Sequence, residues 1–246
     1  MDVISGFSYT ELILVVLVFI WTGFVRSGLG FGGGALGLPL MLFIYDQPLF
    51  WLPVIGIHLL FFSSLTLRSR FSEIDWPYLK KTMLIIVPFV LIGVLGLISL
   101  PSNWLLIFIY SITLLYAILW VTGKSIQSDS LWLDRFLLCV GGYVAGTSLT
   151  GAPLMVAVFM RNVKAQLLRN TLFVLWFIIV IIKMSAFVLV GIELNIFVAL
   201  GLLPAGAIGH IIGLKAHEFI LLNAGLFKRM TGGVLVVVSC LGLYNI

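Results

Sequence analysis

Arg26-Ser27-Gly28-Leu29-Gly30-Phe31-Gly32-Gly33-Gly34 interrupts an otherwise apolar stretch that runs from Tyr9 to Tyr45. Glycine is a poor helix former, and a cluster of them breaks a helical pattern. A second interruption, Gly146-Thr147-Ser148-Leu149-Thr150-Gly151-Ala152-Pro153, divides the stretch from Asp134 to Met160. The apolar runs beyond the breaks, Ala35–Tyr45 and Pro153–Met160, are short. At ~1.5 Å per residue they cover about half of a ~30 Å hydrocarbon core or less. Each interrupted stretch therefore reads as a broken-helix or re-entrant hairpin, with its glycine-rich break as a tip near mid-depth.

The surrounding sequence puts these hairpins in a membrane. Hydrophobic residues make up 62% of the chain and charged residues 9%, and the mean hydropathy is +1.24. A soluble domain carries roughly 25% charged residues, so there are too few polar side chains here to coat a water-exposed surface. Apolar spans are expected at Gln47–Leu67, Tyr78–Ile98, Trp104–Thr122, Leu167–Gly191, Leu194–Leu214 and Met230–Tyr244. Met1–Glu11 lacks the basic region and cleavage site of a signal peptide, so the first apolar run is expected to be kept as a helix. The fold class is all-α, a polytopic transmembrane helical bundle.

Loop charge orients the spans. Arg68, Arg70, Lys80 and Lys81 mark one cytoplasmic connection, Lys124 and Arg135 a second, Arg161, Lys164 and Arg169 a third, and Lys215, Lys228 and Arg229 a fourth. The connections at Asp46, Leu100–Ser102 and Glu193 carry no Lys or Arg and are placed outside. Both termini then lie outside. The net charge of +5 follows from this bias and calls for no nucleic-acid partner. Residues 1–123 and 124–246 each consist of one hairpin followed by three spans, in opposite orientation. Such inverted repeats are a transporter plan, with the substrate site at the repeat interface.

The tips carry the candidate site. Irregular backbone is tolerated in a bilayer where it lines a wet cavity or is buried in protein. A half-helix begins with free N–H groups and a positive dipole end, and glycine lets an anion approach them. Gly32, Gly33 and Gly34 have this form, and Ser27, Thr147, Ser148, Thr150 and Gly151 add hydroxyls and a second tip. Close packing of small residues is the alternative use of the same glycines. The ionisable residues within the apolar spans are Arg26, His58, Lys183 and His210, all basic, with no carboxylate at comparable depth. Intramembrane ionisable groups are usually functional, and this set favours an anion over a cation. Arg26 and Lys183 also have a snorkelling reading, and His58 and His210 a reading as neutral histidines bonded to carbonyls. Arg169-Asn170 opens a span where an anion contact or gate would sit. Cys139 and Cys240 stand far apart without metal-ligand spacing, and no metal or cofactor is expected.

In order along nearly the whole chain, several segments resemble the sulfite exporter TauE/SafE family. Gly23-Phe24-Val25-Arg26-Ser27-Gly28-Leu29-Gly30-Phe31-Gly32-Gly33-Gly34 with Pro39-Leu40 looks like its first glycine motif. Gly142-Tyr143-Val144-Ala145-Gly146 through Gly151-Ala152-Pro153-Leu154 looks like its second, and Arg169-Asn170-Thr171-Leu172, Ile74-Asp75-Trp76 and Leu203-Pro204-Ala205-Gly206-Ala207-Ile208-Gly209 also fit. Two places depart from the family's pattern. The second motif has Thr147-Ser148-Leu149-Thr150-Gly151 in place of consecutive glycines, and His58 follows Gly56-Ile57 where members often carry a small hydroxyl residue. The resemblance implies transport of small sulfur-containing anions such as sulfite or organosulfonates across the bacterial cytoplasmic membrane. The expectation is a secondary transporter, and not an enzyme, that alternates access between its two halves. An anion channel of the same architecture is one alternative, and a membrane-embedded enzyme, for which no GxSxG, HExxH or deep acidic residue speaks, is a remoter one. Proton or sodium coupling, the former through His58 or His210, and a homo-oligomer are left open. No P-loop pattern points to ATP hydrolysis.

Overall fold

Ser8 starts the first helix: its Oγ accepts from the backbone N–H of Glu11, and the Glu11 carboxylate accepts from the N–H of Ser8 at 2.7 Å. This reciprocal capping box opens α1 (Tyr9–Leu29), which ends on Gly30 in the left-handed region at φ +80°. Gly32, at φ +86°, opens α2 (Gly33–Ile44). The computed structural model describes residues 6–30, 32–68, 70–124 and 126–246, so Met1–Ser5 and Phe31 of the glycine stretch lie outside the described residues. Then follow α3 (Pro48–Leu67), a short 3-10 turn at Phe71–Glu73, α4 (Trp76–Ser99), α5 (Ser102–Val121), α6 (Leu131–Ser148), α7 (Ala152–Asn162), α8 (Ala165–Leu189), α9 (Ile196–Leu222) and α10 (Ala224–Tyr244). Among the described residues there are no strands.

Seven of these helices, α1, α3, α4, α5, α8, α9 and α10, are long and apolar enough to cross a membrane. The protein is a multi-pass helical membrane protein. The half-helices α2 and α7 have 12 and 11 residues, about 18 and 17 Å, and fall short of a ~30 Å core as expected. Their hairpin partners, α1 and α6, are longer than half-helices, with 21 and 18 residues.

The basic residues near Lys215 do not form a loop, which corrects the sequence reading. α9 runs on to Leu222 and α10 begins at Ala224, so Lys215, Lys228 and Arg229 stand on helix ends joined at Asn223. Hydropathy marks where a helix leaves the apolar core. It does not mark where backbone hydrogen bonding stops, and Lys and Arg are good helix formers.

Glycine sets the tightest contacts. α1 and α9 run side by side in the same direction. A methyl group at Gly209 would overlap the Ile20 carbonyl, one at Gly213 the Phe24 carbonyl, and one at Gly23 the Gly206 carbonyl. α4 and α6 pack in the same way, with Gly93 on the Tyr143 carbonyl and Gly146 on the Val90 carbonyl. Small residues let helix backbones meet where lipid supplies no hydrophobic drive. α3 crosses α8 where Gly56 faces Met184 and Val180, and α5 meets α10 where Gly242 faces the Tyr110 ring. The basic segments gather at one end of the bundle: Asn170 bonds Glu73, Arg161 pairs with Asp134, and Gly123 lies against Arg229.

Candidate functional site

The tips of the two hairpins meet. Leu149, which ends α6 in the left-handed region at φ +61°, places its Cβ beside Gly34 at the start of α2. Glycine usually takes this cap position, because a Cβ there crowds the backbone. Between the tips lies a small cavity, about 20 Å³ open to the centre of a water-sized sphere. Gly32, Gly33, Gly34 and Ala35 line it from the first hairpin and Leu149 and Ala152 from the second. Arg26, Leu59, Phe173 and Trp176 complete its wall. One water needs roughly 10–15 Å³ by this measure, so the cavity holds about one water and no sulfur oxyanion.

Two buried donors at this cavity have no hydrogen-bond partner among the described residues, Nη2 of Arg26 and Nε1 of Trp176. Arg26 is 4% exposed and its guanidinium lies 4.4 Å from the centre of the Phe62 ring. It is thus held inside the bundle and does not snorkel. The backbone of α2 adds further donors, since the first N–H groups of a helix have no intrahelical acceptor. Gly33 permits the close approach of α2 to α1: a Cβ there would sit 2.9 Å from Arg26 Cβ and 3.0 Å from the Thr22 carbonyl oxygen.

Arg169 closes the first tip at the basic end. Its Nη2 donates to the Ser27 carbonyl at 2.9 Å, its stem packs on Gly30, and its Nε has no partner among the described residues. The first tip therefore stands level with the fifth residue of α8, about 6 Å from that helix's start, and not at the helix's middle. The length of α1 carries it there. Asn170 donates to Glu73 at 2.7 Å, and the Thr171 hydroxyl accepts from the backbone N–H of Asp75 at 2.9 Å. These bonds tie the connection before α4 onto the start of α8.

Other expected site residues are placed elsewhere or are already engaged. His58 bonds the Ala199 carbonyl through Nε2 at 2.7 Å and packs edge-on against Phe19. It links α3 to α9 and does not line the cavity. Ser27 shares a hydrogen bond with Nδ1 of His210, whose ring lies 5.1 Å from that of Phe62. Thr147 donates to carbonyl oxygens of Gly93 and Tyr143, and Ser148 to that of Val144, while Ser148 and Thr150 share a bond at 2.6 Å. These hydroxyls hold the second tip together. Gly151 abuts the Gly141 carbonyl, which is the packing use of glycine. Lys183 is 1% exposed, and its Nζ has no partner among the described residues. Among the described residues no cluster of metal-ligating side chains occurs.

Four contributors escaped the sequence reading. Trp176 and Phe62 looked like ordinary apolar span residues. Glu73 lies in a short polar loop whose docking no local pattern announces. His217, whose Nδ1 is hydrogen-bonded to the Gly28 carbonyl, falls in the region read as loop. A detectable signal existed for Trp176, which stands seven residues from both Arg169 and Lys183.

Broken hairpins meeting inside a polytopic bundle, with buried basic groups around the junction, fit the plan of a membrane transport protein. The chain belongs to the family described as Sulfite exporter TauE/SafE, whose model matches residues 15–241. Comparison with curated proteins and with solved structures gives no match.

Proposed function

We propose that this protein is a secondary transporter that moves a small sulfur-containing anion, such as sulfite, a sulfonate or a sulfoacetate-like molecule, by alternating access. The observation that carries the reading is the junction of the two tips, where Arg26 and Trp176, each with a buried donor that has no partner among the described residues, line one cavity. An anion there would receive the guanidinium, the indole N–H and the first amides of α2, in a setting where unmade hydrogen bonds are costly. Residues 1–123 and 124–246 act as inverted repeats in this reading. What supports it is a symmetry of packing: exchanging α1–α5 with α6–α10 turns the α1–α9 contact into the α6–α4 contact, and α3–α8 and α5–α10 into themselves. The water-sized cavity corresponds to an occluded conformation, so the tips must part to admit substrate.

Loop charge orients the protein in a bacterial cytoplasmic membrane with both termini outside and the Arg169 end inside. Of the two candidate proton carriers, His210 is the better placed, because it is bonded to Ser27 beside Arg26. The test is flux of sulfite and methanesulfonate into proteoliposomes holding the full chain. Saturable uptake that an unlabelled anion accelerates from the far side supports a carrier. No uptake of either anion, or currents at channel rates, would overturn the proposal.

A further inference from the structure

Three side chains of α8 carry a buried nitrogen that has no partner among the described residues: Nε of Arg169, whose Nη2 donates to the Ser27 carbonyl, Nε1 of Trp176 and Nζ of Lys183. They are spaced by seven residues and again by seven. At 3.6 residues per turn, that spacing puts all three on one face of the helix, about 10.5 Å apart. Phe173, Val180 and Phe187 fill the same face between and beyond them, and all are buried. The face looks into the bundle. Phe173 and Trp176 line the cavity between the tips, and Val180 packs against Gly56 of α3. Lys183 stands beside Met184, which also meets Gly56, so it lies beyond the cavity as seen from Arg169.

Native structures leave few buried polar groups unsatisfied. A leucine or methionine would fill these positions without the desolvation of a charge. The ion pairs among the described residues, Arg70–Glu73 and Arg161–Asp134, involve none of the three. Regular spacing on a single inward face is the arrangement expected of donors whose partner arrives and leaves.

We propose that this face of α8 is the path of the anion, with stations at Arg169, at Trp176 together with Arg26, and at Lys183. The inference rests on the carrier reading and adds to it two residues and a direction of travel. Trp176 and Lys183 offer N–H donors between apolar neighbours, and Arg169 offers one at the polar end of the path, which suits a small, singly charged oxyanion. Several stations of moderate strength let an ion enter and also leave. Trp176 contributes at the centre without adding a second charge to that of Arg26.

The experiment measures sulfite and methanesulfonate flux in proteoliposomes with the full chain and with Trp176→Phe, Lys183→Met, Lys183→Arg and the lipid-facing control Ile181→Met. Flux is expected to fall roughly tenfold or more for Trp176→Phe and Lys183→Met, to be higher in the charge-keeping Lys183→Arg than in Lys183→Met, and to stay near wild type for the control Ile181→Met. Lys183→Met should melt no lower than wild type. If wild type carries neither anion, the carrier reading itself fails. If wild type transports and both Trp176→Phe and Lys183→Met transport equally well, the path along α8 is wrong. A Lys183→Met protein that melts lower, with flux that Lys183→Arg does not restore, would make Lys183 a structural residue and overturn its station.

Discussion

Arg26→Met separates the stability of the resting protein from its response to substrate. Arg26 is buried, and among the described residues its Nη2 has no partner and neither ion pair includes it. An uncompensated buried charge costs several kcal/mol. The contact with Phe62 returns about 0.5–2 kcal/mol. Replacing the guanidinium with a shorter, uncharged thioether removes both, so without anion the variant should melt at or above the wild-type temperature. Binding should go the other way. A unit charge about 4 Å from an anion, at an effective dielectric constant of about 20, is worth roughly 4 kcal/mol, close to a thousandfold in Kd. At a sulfite concentration a hundred times the wild-type Kd, binding stabilises wild type by about 2.7 kcal/mol. The variant at that concentration gains only about 0.1 kcal/mol. Thermal melting of purified protein across a sulfite titration measures both quantities. A variant with a wild-type shift, or one that melts several degrees lower without anion, would refute the argument.

Three further outcomes follow from the same contacts. Leu149→Gly should be more stable than Leu149→Ala by about 0.5–1 kcal/mol, because glycine relieves the left-handed backbone at φ +61° while both lose the same packing; thermal melting of the two variants decides it. Gly209→Ala drives a methyl into the Ile20 carbonyl and should lower stability by about 1–3 kcal/mol through overpacking of α1 on α9, read as a lower melting temperature. Glu73→Ala leaves the buried Asn170 amide without its acceptor. It should cost about 1–3 kcal/mol and speed proteolysis near residues 70–75, while the exposed Arg70 contributes little to the loss.

The fold was legible because the bilayer reduces the choice of structure to helices of known length. Runs such as Gln47–Leu67 and Trp104–Thr122 came within two residues of α3 and α5. The hairpins were legible because the glycine-rich stretches Gly28–Gly34 and Gly146–Pro153 mark breaks, although α1 runs on to Leu29 and α6 to Ser148 before they end. The ends of α9 and α10 were not, because Lys215, His217 and Lys228 signal departure from the apolar core and are fully compatible with helix. The candidate site was legible in part, as a set of residues that the structure brings near one another. Arg26, Gly32–Gly34, Arg169 and Lys183 stood out through charge or flexibility. Thr147, Ser148 and Thr150 looked like free donors, yet their hydroxyls are taken up by the backbone and by each other, as short hydroxyl side chains in helices often are. Trp176 was missed because an indole in an apolar run is unremarkable until its N–H is found without a partner.

The packing also decides which parts can move against each other. Rocking the sequence halves as rigid bodies would pull α1 from α9 and α4 from α6, the contacts where glycines bring carbonyl backbones together. Such interfaces separate at high cost, because the backbone groups in them fit no alternative partner. The cheaper motion keeps α1 and α2 with α9 as one body and α6 and α7 with α4 as another, and parts them at the tips. There Leu149 meets Gly34 beside a cavity of about 20 Å³. Cysteine bridges test this in a background lacking Cys139 and Cys240. A Cβ at Gly34 would lie 3.4 Å from that of Leu149, close to the range a disulfide accepts. Gly34→Cys with Leu149→Cys should transport when reduced and stop when oxidised. Gly142 and Phe89, across α6 and α4, offer the same 3.4 Å separation. Gly142→Cys with Phe89→Cys must shift slightly from the Ile86 carbonyl, which lies 2.9 Å away, but should transport alike in both redox states. Melting curves in each state check that the pairs fold. Arrest by the α4–α6 bridge, with free transport through bridged tips, would show instead that the sequence halves are the moving bodies.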